Sequence, residues 1–221
     1  MITAETLSFL RALKKNNDKT WFDTNRKKYE AAKKNMEALV NEVIALHGKA
    51  DPSIAGLTAR ECLFRINRDI RFAKDKSPYK TNFGASINAD GRKAMTPGYY
   101  LHLEPGKSFA GGGLYQPAPA DLRKVRQEID YHPEEFRKLI EAKSFKSTFG
   151  TLDQSADVRL TRVPQGFDKE SEAAPYLMYR SYIAMQPLTD ELLQSPKAAK
   201  TIAANFAALQ PLLDFLRRNM E

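Results

Sequence analysis

The apolar residues of this chain change period twice, and that change bounds the fold more tightly than any single motif. Leu7, Leu10 and Leu13 recur at helical spacing behind Thr3, which is placed to cap a helix over residues 4–15. Asn16, Asn17 and Asp18 break it. A second helix is predicted from about residue 19 to residue 46, with Phe22, Tyr29, Met36, Val40 and Val43 along one stripe. From Cys62 the period becomes two: Phe64 and Ile66 point one way, Arg65 and Asn67 the other. Phe83, Ala85 and Ile87 alternate again, and so do Tyr99, Leu101 and Leu103 against Tyr100 and His102. Helical spacing returns behind Pro119, behind Pro133 and behind Ser195-Pro196, where Ile202, Phe206, Leu209, Leu213 and Leu216 form the last stripe. Residues 143–175 read as irregular, residues 176–179 as a helical turn and residues 182–185 as a return to the sheet. Sequential strands joined by short reversals pair antiparallel. The expected fold is α+β: a central, largely antiparallel sheet enclosed by N-terminal and C-terminal helices.

No long Gly/Ser-rich or Pro-rich linker divides the 221 residues, so one domain over residues 1–221 is expected. With 42% hydrophobic and 28% charged residues the chain has apolar material for a sizeable core. Its one cysteine, Cys62, excludes an intramolecular disulfide and a thiol-based metal site. The basic residues near the N-terminus follow the apolar run rather than precede it, and no stretch approaches the roughly 20 apolar residues of a membrane span. These features predict a soluble cytoplasmic protein without a membrane partner.

Charge is unevenly placed. Residues 65–80 hold six basic side chains (Arg65, Arg68, Arg71, Lys74, Lys76, Lys80) against Asp69 and Asp75, a net +4 out of a formal +8 for the whole chain. Phe64, Ile66, Ile70, Phe72 and Tyr79 are interleaved with them. Forked donors on Arg65, Arg68 and Arg71, point charges on Lys76 and Lys80, and neutral donors on Tyr79 and Asn82 are what a phosphate or carboxylate binder needs. The structural alternative is an ion network in which Asp69 and Asp75 pair with these bases and hold the loop.

Gly111, Gly112 and Gly113 could bring backbone amides close to the same anion. They lack the spacing of a dinucleotide loop and the lysine of a phosphate-binding loop. His102 lies on a predicted strand near them and is the histidine placed to act as a base or phosphate partner. The three histidines have no metal-ligand spacing, so no metal is expected. No nucleophilic serine motif and no carboxylate pair of diagnostic spacing occurs. Cys62, beside an apolar strand, reads as a buried small side chain.

Two functional readings follow from the basic segment, besides a structural or protein-interaction domain with no small-molecule site. One is a binding protein or enzyme for a phosphorylated or carboxylated small molecule. The other is a nucleic-acid binder using Arg65, Arg71, Lys74, Lys76 and Lys80, with Phe72 or Tyr79 for stacking. The residues name no cofactor and no reaction, and leave open whether the protein is an enzyme.

Several separated motifs occur together in one order: residues 9–30 (FLRALKKNNDKTWFDTNRKKYE), 64–85 (FRINRDIRFAKDKSPYKTNFGA), 99–117 (YYLHLEPGKSFAGGGLYQP) and 160–168 (LTRVPQGFD). In this combination the chain resembles the DUF2461 family of conserved bacterial and fungal proteins. The resemblance implies a single-domain protein in which the basic run, the His102 strand and the glycine run are hallmarks. It supplies no catalytic residues. Tyr115 stands where family members often carry tryptophan.

Overall fold

Thr3 opens the first helix as its spacing predicts: its hydroxyl accepts from the Thr6 amide at 3.3 Å, and α1 runs Ala4–Lys15. The computed structural model describes residues 1–218 and 220. Its helices and strands make up 47% and 14% of the chain, with four antiparallel strands in the order β1-β2-β3-β4, so the fold is α+β. These strands are β1 Phe83–Ile87, β2 Gly98–Leu103, β3 Ser108–Leu114 and β4 Tyr182–Leu188.

The chain divides into two units, neither continuous in sequence. The first contains Met1–Arg92, Tyr100–Ala110 and Pro187–Ala204. Its core begins with Leu7, Leu10 and Leu13 of α1 and Met36, Val40 and Val43 of α3 (Arg26–His47), all essentially inaccessible to solvent. The Asn35 carboxamide ties these helices together, its Oδ1 accepting from the Thr3 amide at 2.9 Å and the Thr6 hydroxyl at 2.8 Å. The long helix expected from residue 19 is two helices: α2 (Lys19–Thr24), capped by Asp18, and α3. Asn25 breaks it, its side chain donating back to the Trp21 carbonyl and competing with helical bonding there.

The strand expected from Cys62 to Asn67 is not one. Thr58 and Glu61 form a capping box, the Thr58 amide donating to Glu61 Oε2 at 2.8 Å, and this starts a helical turn, α4 (Ala59–Cys62). Beyond it the chain touches the strand region through two isolated antiparallel bridges, Leu63 with Ala85 and Asn67 with Tyr79. Also in this unit are a short 3-10 turn, Pro52–Ile54, and α9 (Asp190–Leu193), capped by Thr189.

The second unit contains Lys93–Tyr99, Gly111–Gln186 and the chain from Asn205 onward. Pro119 and Pro133 start α5 (Pro119–Tyr131) and α6 (Pro133–Glu141) as predicted. Residues expected to be irregular include α7 (Lys143–Phe149), and the helical turn falls at α8 (Ala174–Leu177). The final helix, α10 (Ala198–Arg217), has its residues up to Ala204 in the first unit and the rest in the second; it starts two residues beyond Pro196, with Ser195 Oγ accepting from the Lys197 amide at 3.2 Å. Phe136, Tyr182 and Phe215 meet edge-on and tilted at ring separations of 5.5–5.9 Å and are fully buried. The return to the sheet expected at residues 182–185 is β4. The glycine run, expected to bring backbone amides close to an anion, lies within β3.

Candidate functional site

The two faces of β2 separate by the period-two rule. Tyr99, Leu101 and Leu103 are buried, whereas Tyr100 and His102 lie half-buried on the opposite face. Within the first unit that second face carries a polar cluster. His102 Nδ1 is 3.4 Å from Asn82 Nδ2 and 3.3 Å from the Tyr100 hydroxyl, and His102 Nε2 is 3.5 Å from Glu104 Oε2. An Nδ1 that accepts from the Asn82 amide leaves the proton on Nε2, directed at the carboxylate. Phe109 of β3 covers the imidazole as a parallel plate. Lys14 from α1 binds the other Glu104 oxygen at 3.3 Å. Burial pushes the His102 pKa below its ordinary value, against the smaller upward pull of Glu104.

A chain of contacts leads from Lys80 toward this cluster. Its ammonium stands 5.3 Å from the centre of the Phe64 ring, and the Phe64 amide donates to the Gly84 carbonyl. A Cβ on Gly84 would lie 2.5 Å from the Tyr100 hydroxyl, so glycine is what lets that ring lie across β1. Burial pushes the Lys80 pKa down, and the positive charge of Arg65 pushes it further the same way. No carboxylate pairs with Lys80 among the described residues.

The remaining bases of the segment are differently employed. Arg68 is paired with Asp75 and also donates to the Ser77 carbonyl, and Arg71 forms a two-pronged pair with Asp69. Hydrogen bonds from Ser77 and from Arg68 hold Asp75 far below the usual carboxylate range. Lys76 donates to the Ile70 carbonyl at 3.0 Å. The ion network weighed from the sequence therefore exists for Arg68 and Arg71, while Arg65 is exposed and Lys80 pairs with no acid among the described residues. Tyr79 is a core side chain, stacked on Phe22 at 3.9 Å and bracketed by Asn17, which exchanges two hydrogen bonds with its backbone.

Gly111, Gly112 and Gly113 lie in the second unit, and their lack of side chains is accounted for by the sheet itself. A Cβ at Gly111 would stand 2.1 Å from the Ala184 carbonyl oxygen, at Gly112 2.2 Å from that of Gly98, and at Gly113 2.0 Å from that of Tyr182. Glu104, Tyr100 and Phe109 were absent from the sequence-derived set. The spacing of Tyr100, His102 and Glu104 at alternate positions was the available signal for two of them. Cys62 is buried, its thiol pushed up to about 11 mainly by burial, which leaves little thiolate for chemistry. No group of His, Cys, Asp and Glu among the described residues could hold a metal ion.

A family model described as a conserved hypothetical protein, DUF2461, matches residues 5–215 of the 221. The chain belongs to the DUF2461 family. No curated protein and no solved structure matches it. In this DUF2461 member the family match covers both the basic segment and the His102 strand. No helix among its described residues is long and apolar enough to cross a membrane.

Proposed function

We propose that this protein binds a phosphorylated or carboxylated small molecule over the half-buried face of β1 and β2. Lys80 supplies the charge, Asn82 a neutral donor, and His102 a group able to exchange a proton with the bound molecule. One observation carries this reading: Lys80 is a half-buried ammonium beside another cation, with no carboxylate paired to it among the described residues, while neighbouring Arg68 and Arg71 each have one. Removing a charge from water without a counter-ion destabilises the charged form, and an anionic ligand reverses that penalty. The Glu104–His102 pair beside it suits acid–base chemistry. We place the protein in the cytoplasm, and treat its 221 residues as one domain. The test is calorimetric titration with a panel of phosphorylated and carboxylated metabolites against wild type and Lys80→Met. Saturable binding lost in the variant supports the reading, and equal binding by both proteins refutes it.

A second reading, single-stranded nucleic acid, is favoured by Phe72. Its ring is 97% exposed and lies 6.0 Å from the Arg71 guanidinium on a loop rich in bases. An exposed ring flanked by cations is the arrangement on which a base stacks. Fluorescence anisotropy with short DNA and RNA across a salt series separates the two readings, since backbone neutralisation makes affinity fall steeply with salt.

A further inference from the structure

Both nitrogens of the His102 ring are taken within the first unit. Nε2 meets Glu104 Oε2 at 3.5 Å, and Nδ1 meets the Tyr100 hydroxyl at 3.3 Å and the Asn82 carboxamide nitrogen at 3.4 Å. Phe109 plates one face of the ring, and 17% of the His102 side chain is open to solvent. A ring closed at both nitrogens does not itself reach a bound molecule, so a proton it exchanges passes through a neighbour. Of the two groups against Nδ1, a carboxamide is neither acid nor base, whereas a phenol donates one proton and accepts another.

Glu104 decides which nitrogen is the base. Its backbone is locked to buried Ser108, the amide donating to the Ser108 hydroxyl oxygen at 3.1 Å and the carbonyl accepting from that hydroxyl at 2.9 Å. Its Oε1 accepts from Lys14 at 3.3 Å, which leaves Oε2 facing Nε2. A proton on Nε2 answers that carboxylate, and Nδ1 becomes the lone pair into which the Tyr100 hydroxyl donates. Among the described residues, the titratable groups facing His102 are Tyr100 and Glu104, with Lys14 behind Glu104; Asn82 and Phe109 carry no charge. Carboxylate, imidazole and hydroxyl in that order are the parts of an activated hydroxyl: a group that orients the base, the base, and the oxygen that meets the ligand. Tyr100 is half-buried, while Tyr99 and Leu101 beside it are closed to solvent.

We propose that Tyr100 is the catalytic residue on the face of β1 and β2: its hydroxyl takes a proton from the bound molecule as its own proton passes to His102 Nδ1, with Glu104 as the positioning residue. This rests on the anion-binding reading of Lys80 and names the atom that meets the ligand. In the step, the bond between hydrogen and its donor atom on the ligand breaks, and the electron pair stays on the ligand. The Tyr100 O–H bond is broken and remade, a bond forms between hydrogen and Nδ1, and the imidazolium lies against the Glu104 carboxylate. The reverse step returns the proton, so no oxidant, reductant or second substrate takes part.

The experiment is NMR of the full chain, isotope-labelled at histidine nitrogen and tyrosine Cζ, on wild type, Tyr100→Phe, His102→Gln, Glu104→Gln and Lys80→Met, with glycerol phosphate and lactate as probes. Circular dichroism verifies folding, and Tyr100→Phe, which removes one oxygen, keeps the test informative if a His102 or Glu104 variant does not fold. At pH 8 the His102 signals should be those of the tautomer with its proton on Nε2, and Glu104→Gln should let the other tautomer in. The Tyr100 Cζ signal should shift in step with the His102 titration and lose that step in His102→Gln. A bound probe should move the signals of both residues in wild type, and the His102 response should be lost in Tyr100→Phe. The assignment is overturned if His102 carries its proton on Nδ1, if Tyr100 is blind to the His102 titration, or if His102 in folded Tyr100→Phe answers a bound probe as in wild type. Those outcomes leave the anion-binding reading standing when a probe binds wild type and not Lys80→Met. Binding by neither probe, or equal binding by Lys80→Met, removes that reading and the assignment with it.

Discussion

His102 and Phe109 lie face to face, their ring centres 4.9 Å apart and their planes 8° from parallel. The plate of Phe109 excludes water from the imidazole and favours its neutral form, which is why the His102 pKa lies below its ordinary value despite the nearby Glu104. A histidine whose pKa falls on folding binds fewer protons in the folded than in the unfolded state. Its contribution is therefore complete above the unfolded value near 6.5 and is lost as pH falls below that value. Urea denaturation at pH 8 and pH 5.5 is expected to show lower stability at the acid end. His102→Gln should reduce that difference while leaving some, because buried His47 shifts in the same direction. An unchanged pH dependence in His102→Gln would remove His102 from this role.

Lys80→Met should leave the fold intact and its stability within about 1 kcal/mol of wild type or above it, since an unpaired, half-buried charge is replaced by an apolar chain of similar length. The same variant should lose affinity for the small anion by at least roughly tenfold. Chemical denaturation and calorimetry on one preparation read both quantities. A strongly destabilised variant would show instead that the ammonium holds structure.

Phe72→Ser should change stability very little, because the ring is 97% exposed. If the loop contacts single-stranded nucleic acid, its affinity should drop by about 1–3 kcal/mol, the usual value of one stacked base. Anisotropy titrations of the variant and wild type decide this, and equal affinities exclude Phe72 as a stacking platform.

Gly113→Ala should destabilise by about 3 kcal/mol or more. Its φ of +127° suits glycine alone, and the added Cβ would sit 2.0 Å from the Tyr182 carbonyl oxygen. Thermal denaturation should show a clearly lowered midpoint, and a wild-type midpoint would mean that β3 and β4 can separate at no cost.

The helices were legible wherever an apolar stripe met a cap, as at Thr3 with Leu7, Leu10 and Leu13, or at Pro119 and Pro133. Residues 62–67 misled because Phe64 and Ile66 alternate like a strand, whereas Thr58 and Glu61 close a helical turn just upstream and leave single bridges behind it. Strand β3 was hidden by its own composition: three glycines carry no side chains, so no alternation exists to read. For the site, Lys80, Asn82 and His102 were identifiable as residue types in a basic, polar stretch. What spacing could not reveal was which bases are neutralised, since Asp75 reaches back seven positions to Arg68 and no acid among the described residues pairs with Lys80.

The N-terminal helix has partners from the far end of the chain. The Ile2 amide donates to the Leu193 carbonyl at 2.8 Å, Arg11 pairs with Asp190 at 2.6 Å, and the Gly106 amide also donates to Asp190. During synthesis α1 therefore emerges from the ribosome long before the residues that secure it are made. At roughly 5–20 residues per second the delay is about 10–40 s. Through that interval Leu7, Leu10 and Leu13 must be sheltered by α3 or by a chaperone, so premature termination anywhere before residue 190 releases a polypeptide whose first helix lacks the anchors supplied by Asp190 and Leu193.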